Sequence, residues 1–124
     1  MTQAKNPEAL LAKIREACLA YPEARCELRG DHADFRVRSK VFAYFLNNHH
    51  GDGIVSVCVK SELGENVDRA STHPDRYYLP AYIGARGWFG LYLNRGPIDW
   101  NEIRSIIERS YRITAPKTLV ARLP

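Results

Sequence analysis

Nothing in this chain is built to cross a membrane as a helix, because no run of about 18 apolar residues occurs. The N-terminus, MTQAKNPEALLAKIREA, carries charges where a secretory signal needs its apolar centre, so a cytoplasmic protein is expected. Cysteine is scarce. Cys18, Cys26 and Cys58 are odd in number and have no metal-ligand spacing. That argues against a disulfide framework and against a thiolate zinc site. Free cysteines behave as small apolar residues, and these three are expected on buried or half-buried faces. Also missing are GxxxxGK(S/T), GxGxxG after a strand, GxSxG and HExxH. Their absence removes the commonest phosphate-loop, dinucleotide, serine-hydrolase and zinc-protease sites. No cofactor and no metal are expected, and the balance is against an enzyme. No linker, repeat or low-complexity segment interrupts the 124 residues, so a single domain over 1–124 is expected, as a monomer.

Acidic residues are in modest deficit, 14 against 18 lysines and arginines, for a net charge of +4 and a pI near 9.1. Thirteen of the 18 are arginine, which favours planar recognition of phosphate or carboxylate. The excess is uneven: Arg36, Arg38, Lys40 and Lys60 fall in one stretch with Asp52 as its single acid.

That stretch, Phe35 to Lys60, organises the chain. Val41–Leu46 and Ile54–Val59 are rich in β-branched and aromatic residues, and Asn47 to Gly53 between them is a cluster of turn formers, as in a hairpin with a long loop. A shorter strand, Phe35–Arg38, precedes them across a turn at Ser39-Lys40. Alternation places Phe35 and Val37 on one face with Arg36 and Arg38 on the other. In the last strand Val55, Val57 and Val59 oppose Ser56, Cys58 and Lys60. One face reads as core, the other as wetter and positively charged.

Around the hairpin, Asn6-Pro7-Glu8 opens a helix with Leu10, Ile14, Ala17, Cys18 and Tyr21 on one face, ended by Pro22. Arg25–Arg29 reads as a short edge strand. Ser61-Glu62-Leu63 begins a second helix with Leu63, Val67 and Ala70 as its apolar residues. Tyr77–Ile83, broken by Pro80, reads as edge strand or loop, and Trp88–Leu93 as a strand with Phe89, Leu91 and Leu93 on one face. Asp99 caps a last helix with Glu102 placed for a capping box, and Trp100, Ile103, Ile106, Ile107 and Tyr111 form its stripe. Beyond Pro116 the chain reads as a tail. The order is roughly α-β-β-β-β-α-β-β-α: an α+β, two-layer sandwich of one antiparallel sheet with helices on one face.

Several residues are candidates for chemistry. His49-His50 with Asp52 is a possible metal motif, but adjacent side chains in a turn rarely converge on one ion, and a solvated hairpin tip is the simpler account. His32 beside Asp31 and Asp34 is a candidate acid–base pair; turn capping by the aspartates is the alternative. Arg36, Arg38, Tyr44, Trp88 and Tyr92 are expected to meet on the face away from the helices, where aromatics stack on bases and arginines contact phosphates. The plain alternative is an ordinary half-exposed sheet face whose arginine stems cover the rings. Arg104, Arg109, Arg112 and Lys117 make a second basic strip, usually just a solvated helix face.

The chain also resembles a family. His32-Ala33-Asp34-Phe35-Arg36-Val37 followed by Lys40-Val41-Phe42-Ala43 resembles the H-P-x-F-R-V and K-x-F-A segment of MmcQ/YjbR-like proteins. Tyr82 to Trp88 is similar to their Y-x-G-x-x-G-W segment. Gly96-Pro97-Ile98-Asp99-Trp100 and Ser110 to Lys117 are similar to their G-P-x-D-W and S-Y-x-x-x-A-P-K signature. Three positions depart: Gly30-Asp31 stand where the family often has Trp-Gly, and Ala33 replaces its Pro. The resemblance implies a fold like that of CyaY, the bacterial frataxin, and a DNA-binding role that rests on a double-wing analogy. Frataxin's acidic, iron-binding first helix has no counterpart here, where Glu8 and Glu16 alternate with Lys13 and Arg15.

Three functional readings follow. In the first, DNA is bound through Arg36, Arg38, Lys40, Arg86 and Lys117, with Trp88 stacking. In the second, His32, Arg36, Lys40 and Arg86 hold a small molecule or anion, with or without chemistry. In the third, Tyr77, Tyr78 and Tyr82 form a protein interface.

Overall fold

The structure, a computed structural model, describes residues 6–124; Met1 to Lys5, part of the segment read against a secretory signal, lie outside the described residues. The first helix, α1, spans Pro7–Leu19. Its start follows the capping logic: the Asn6 side chain accepts from the Glu8 N–H at 2.8 Å, and Pro7 stands in the first turn, where its missing N–H costs nothing. Leu10, Ile14 and Cys18 are its buried residues. Then come β1 (Ala24–Arg29), β2 (His32–Val37), β3 (Lys40–Asn47), β4 (Val55–Lys60), α2 (Glu65–Thr72), β5 (Tyr77–Tyr78), β6 (Trp88–Tyr92), α3 (Trp100–Thr114) and α4 (Lys117–Val120). The six strands form one antiparallel sheet in the order β1-β2-β3-β4-β6-β5. The expected α+β sandwich is what forms. Val57 and Val59 pair with Phe45 and Ala43 on one side and with Leu91 and Phe89 on the other, and this face joins Ile14, Ile103, Ile107 and Tyr111 in the core. Among the described residues, no helix is long and apolar enough to cross a membrane.

One irregularity ties helix to sheet. Phe35 pairs with Ala43 but Arg36 pairs with Val41, so Phe42 is an extra residue, a β-bulge. The ladder groups left without partners there are taken up by α3: the Ser110 hydroxyl donates to the Phe42 carbonyl (2.6 Å) and accepts from the Lys60 N–H (2.9 Å).

Five local expectations are corrected. The β2–β3 turn is Arg38-Ser39, and Lys40 already belongs to β3. The second helix begins at Glu65 rather than near Ser61, and Leu63 and Val67 stay exposed. What docks α2 is polar: buried Asn66 donates to the Gly84 and Trp88 carbonyls at 2.7 and 3.0 Å. Glu102 forms no reciprocal cap with Asp99; its carboxylate is drawn instead to Arg76 and the Tyr77 hydroxyl, two stronger donors. The tail beyond Pro116 winds into α4, whose Leu119 is buried. Finally, the centre of the helix-free face is dry. With no side chain at Gly90, the Tyr78 ring lies across that position, and its hydroxyl meets Ser56 Oγ at 2.8 Å, so Ser56 and Cys58 are fully buried.

Candidate basic cleft

At the end of the sheet where α3 finishes, five chain segments converge. The Arg38-Ser39 turn delivers Lys40, β4 ends in Lys60, a 3-10 turn (Ile83–Arg86) carries Arg86, β6 begins at Trp88, and Lys117 opens α4. Between them lie two adjoining open clefts. One, about 300 Å³, is lined by Lys40, Tyr44, Lys60, Arg86, Trp88 and Thr114 among others; the second, about 310 Å³, adds Arg38 and Lys117. Lys40, Ile113 and Thr114 belong to both. Among the described residues, no carboxylate lines either cleft. Among the described residues Lys40, Lys60, Arg86 and Lys117 take part in no ion pair, whereas most arginines elsewhere do. Thr114 adds a buried hydroxyl without a hydrogen-bond partner. Uncompensated like charges around a concave surface raise the local concentration of anions.

The loop bearing Arg86 is pinned from both sides. Asn66 holds it from α2, and the Gly87 carbonyl accepts from the Ser61 N–H (2.8 Å) and hydroxyl (2.7 Å). Gly87 has φ +95°, and a Cβ there would sit 2.4 Å from the Ser61 carbonyl oxygen, so only glycine fits. At the start of the same loop Tyr82 is the central residue of a γ-turn (φ 68°, ψ −57°), closed by the Ile83 N–H on the Ala81 carbonyl at 2.7 Å. This positive-φ γ-turn is rare and strained for a side chain as bulky as tyrosine. Tyr82 is 90% exposed.

A family model described as YjbR matches residues 19–113. The chain belongs to the YjbR family. Among solved structures, the YjbR fold seen here is similar to that of a Deinococcus radiodurans protein with a DUF419 domain, at TM-score 0.67 and 16% identity, over 83% of this chain and 76% of that one. It is also similar to a Pseudomonas syringae protein, at TM-score 0.62 and 21% identity, over 89% and 99%. At such identities the likeness concerns the fold. No curated protein matches the chain. Three of the four segments on which the YjbR resemblance rests, those reaching Lys40, Arg86 to Trp88 and Lys117, border the basic clefts.

The residues singled out from sequence are only partly brought together. Lys40, Arg86, Trp88 and Lys117 line the clefts, and Arg38 lines the second. Trp88 is a wall rather than an exposed platform. It is 7% exposed, and its ring sits 5.2 Å from that of Tyr44 at a 48° tilt. Arg36 and Arg38 do not share a face. Arg36 lies on the helix-free face, with Nη2 3.3 Å from Asp34 and Nε 3.2 Å from Glu27; Arg29 is also on Asp34, at 2.8 Å. Arg38 occupies the turn at φ 55° and grips Glu23 through both carboxylate oxygens (2.6 and 3.1 Å), holding that carboxyl below its ordinary pKa.

His32 stands at the opposite end of β2 from the clefts. Its Nδ1 accepts from the Asn47 N–H (3.1 Å), its ring meets His49 edge-on, and Asp34 serves the arginines instead. Among the described residues no three of His, Cys, Asp and Glu are grouped to hold a metal. On α3, Arg109 pairs with Glu65, Arg112 with Glu108, and Arg104 bonds Asn101. Of the three tyrosines, Tyr77 is buried and Tyr78 turns inward, leaving Tyr82 in solvent.

Lys60 and Thr114 escaped the sequence-based site. The period-two alternation that sets Lys60 opposite Val59 was legible; its place at the bulge and the missing partner of Thr114 were not.

Proposed function

We propose that this YjbR chain binds nucleic acid along the basic clefts, with Lys40, Lys60, Arg86 and Lys117 on successive phosphates. The observation that carries the proposal is four cations without ion-pair partners around adjoining clefts that lack a carboxylate. Because the clefts share Lys40, they form a strip, which suits a polyanion better than an isolated phosphate. Each neutralised phosphate releases counterions and adds about 0.9 to the salt slope of log affinity on duplex DNA, or about 0.7 on a single strand. Tyr82, rather than walled-in Trp88, is the stacking group. Strain held at an exposed aromatic beside the cleft is the kind of outlier from which a functional role is inferred. Arg38 joins only where a phosphate displaces Glu23, and Arg36, tied to Asp34 and Glu27, supports the fold of the helix-free face. A nucleic-acid partner agrees with the cytoplasmic location expected from sequence.

Fluorescence anisotropy with labelled duplex and single-stranded DNA across a salt series tests this. Lys40→Ala and Arg86→Ala should each flatten the slope by close to one phosphate, and Tyr82→Ala should weaken the single strand more than the duplex. No binding at about 50 mM salt, where screening is weak, overturns the proposal.

The orphan Thr114 hydroxyl favours a second reading, a small phosphorylated ligand held in the cleft by Lys40, Lys60 and Arg86. Of the anion set expected from sequence, Lys40 and Arg86 lie there while His32 and Arg36 do not line it. A thermal shift with nucleotides or inorganic phosphate, without affinity for DNA, would favour this reading.

A further inference from the structure

The two edges of the sheet differ. One is β5, two residues long and followed within two positions by Pro80, which donates no hydrogen bond. The other is β1, six residues long, and among the described residues no backbone hydrogen bond links Arg25 to Arg29 with anything but β2. An edge of that length is a template for another strand, and nature commonly guards it with charge. On β1 the guards are Arg25, Glu27 and Arg29, all on the helix-free face. On the helical side stand Ala24, Cys26 and Leu28, and Leu28 is 64% exposed.

We propose that two copies of the chain pair antiparallel along β1 about a two-fold axis at Cys26, joining their sheets into one. The charges select this register. Keeping both helical layers on the same side requires the axis to pass through a residue, since a one-residue slip turns the second sheet over. An axis at Glu27 sets Glu27 against its own copy and Arg25 against Arg29. An axis at Arg25 sets that arginine against itself. Directly opposed like charges destabilise a strand pair. An axis at Leu28 avoids the clash but pairs only the last three residues of the strand. The Cys26 axis pairs Arg25 with the second copy's Glu27 twice over, lays each exposed Leu28 on the other copy's Ala24, and uses five residues of β1. The charges that bar indiscriminate pairing therefore leave one long register open. The two-fold axis is perpendicular to the joined sheet, so the cleft beside Lys60, Arg86 and Trp88 stays clear of the junction, while Arg38 of the second cleft adjoins the start of β1, where Arg25 donates to its carbonyl at 2.8 Å.

Sedimentation equilibrium at submillimolar protein is the test, with a short bis-maleimide as a geometric probe. Cys26 is the one thiol that is not fully buried, so the wild type should dimerise and cross-link, and Cys26→Ser should dimerise without cross-linking. Glu27→Arg sets arginine against Arg25 and should weaken the dimer at least about tenfold; Arg25→Glu should do the same by setting glutamate against Glu27. The double charge swap, Arg25→Glu with Glu27→Arg, should restore it. A monomer at the highest concentration overturns the proposal. So does a dimer that survives both single reversals, or a swap that fails to rescue while its melting temperature matches the wild type.

Discussion

Replacing Ser110 by alanine removes one oxygen and should cost several times more than a typical surface substitution. The hydroxyl is fully buried and serves two backbone groups that the Phe42 bulge leaves without partners. Alanine fits the helix at least as well, so propensity does not oppose the change. The loss is electrostatic. A buried polar group left without a partner costs about 1–3 kcal/mol. The Phe42 carbonyl lies deep and belongs at the upper end, while the Lys60 N–H, beside the open cleft, belongs at the lower end. The sum is about 4 kcal/mol, a large share of the roughly 5–15 kcal/mol available to a domain. For a chain of 124 residues, about 2.1 cal/mol/K of unfolding entropy per residue makes that a fall of about 15 °C in Tm. Urea titration and thermal melts measure it, with exposed Ser105→Ala on the same helix as a control that should move stability by no more than about 0.5 kcal/mol. A Ser110→Ala loss below about 1 kcal/mol would refute the idea that α3 completes the ladder at the bulge.

Gly90→Ala places a Cβ 2.3 Å from Tyr78 Cε1, so the ring must leave and its bond to Ser56 must break. About 2 kcal/mol of destabilisation is expected by urea titration, and a double mutant with Tyr78→Ala should lose clearly less than the sum of the singles. Asn66→Ala takes the side-chain donor from the Trp88 carbonyl and leaves the Gly84 carbonyl with only the long Gly87 N–H bond (3.3 Å); it should lower stability by about 2 kcal/mol and weaken DNA binding by anisotropy although Asn66 does not line the cleft. Glu65 accepts from Arg109 at 2.5 and 2.9 Å and from Arg69, which holds its carboxyl below the ordinary range. A depressed pKa stabilises the fold above the unfolded carboxyl's value and loses that contribution as pH falls through the folded one. Glu65→Gln should therefore cost about 1 kcal/mol at neutral pH, and the gap from wild type should close below about pH 4 in urea melts.

The parts of the fold that sequence predicted well are those set by local chemistry. Asn6-Pro7 and Asp99 cap their helices because the cap needs only its own next residues, and the alternation of Val55, Val57 and Val59 names a core face without knowledge of the partner strand. Features set by distant partners were hidden. Leu63 and Val67 suggested an apolar stripe, but α2 docks through the amide of Asn66 onto carbonyls 18 and 22 residues away. Alternation put Arg36 and Arg38 on one face because nothing local announces that β2 stops at Val37 and that Arg38 turns to meet Glu23, 15 residues earlier. The clefts were half legible. Lys40, Arg86, Trp88 and Lys117 were named, yet the same charge count weighted Arg36 equally, and only geometry separates a cation held by carboxylates from one facing solvent.

The scarce thiols lie at three different depths. Cys26 is half-exposed, Cys18 lies on the buried face of α1, and Cys58 is sealed under the Tyr78 ring. Burial pushes the Cys58 thiol up to about 11 and the Cys18 thiol higher still, so neither is a thiolate while its cover is closed. Alkylation of the native protein therefore runs as three clocks. Cys26, whose thiol pKa is also raised by partial burial, reacts first and without unfolding, Cys58 at the rate the β5 edge lifts, and Cys18 at the rate α1 comes away. The unmodified chain thus carries its own reporters of local unfolding, one for each layer.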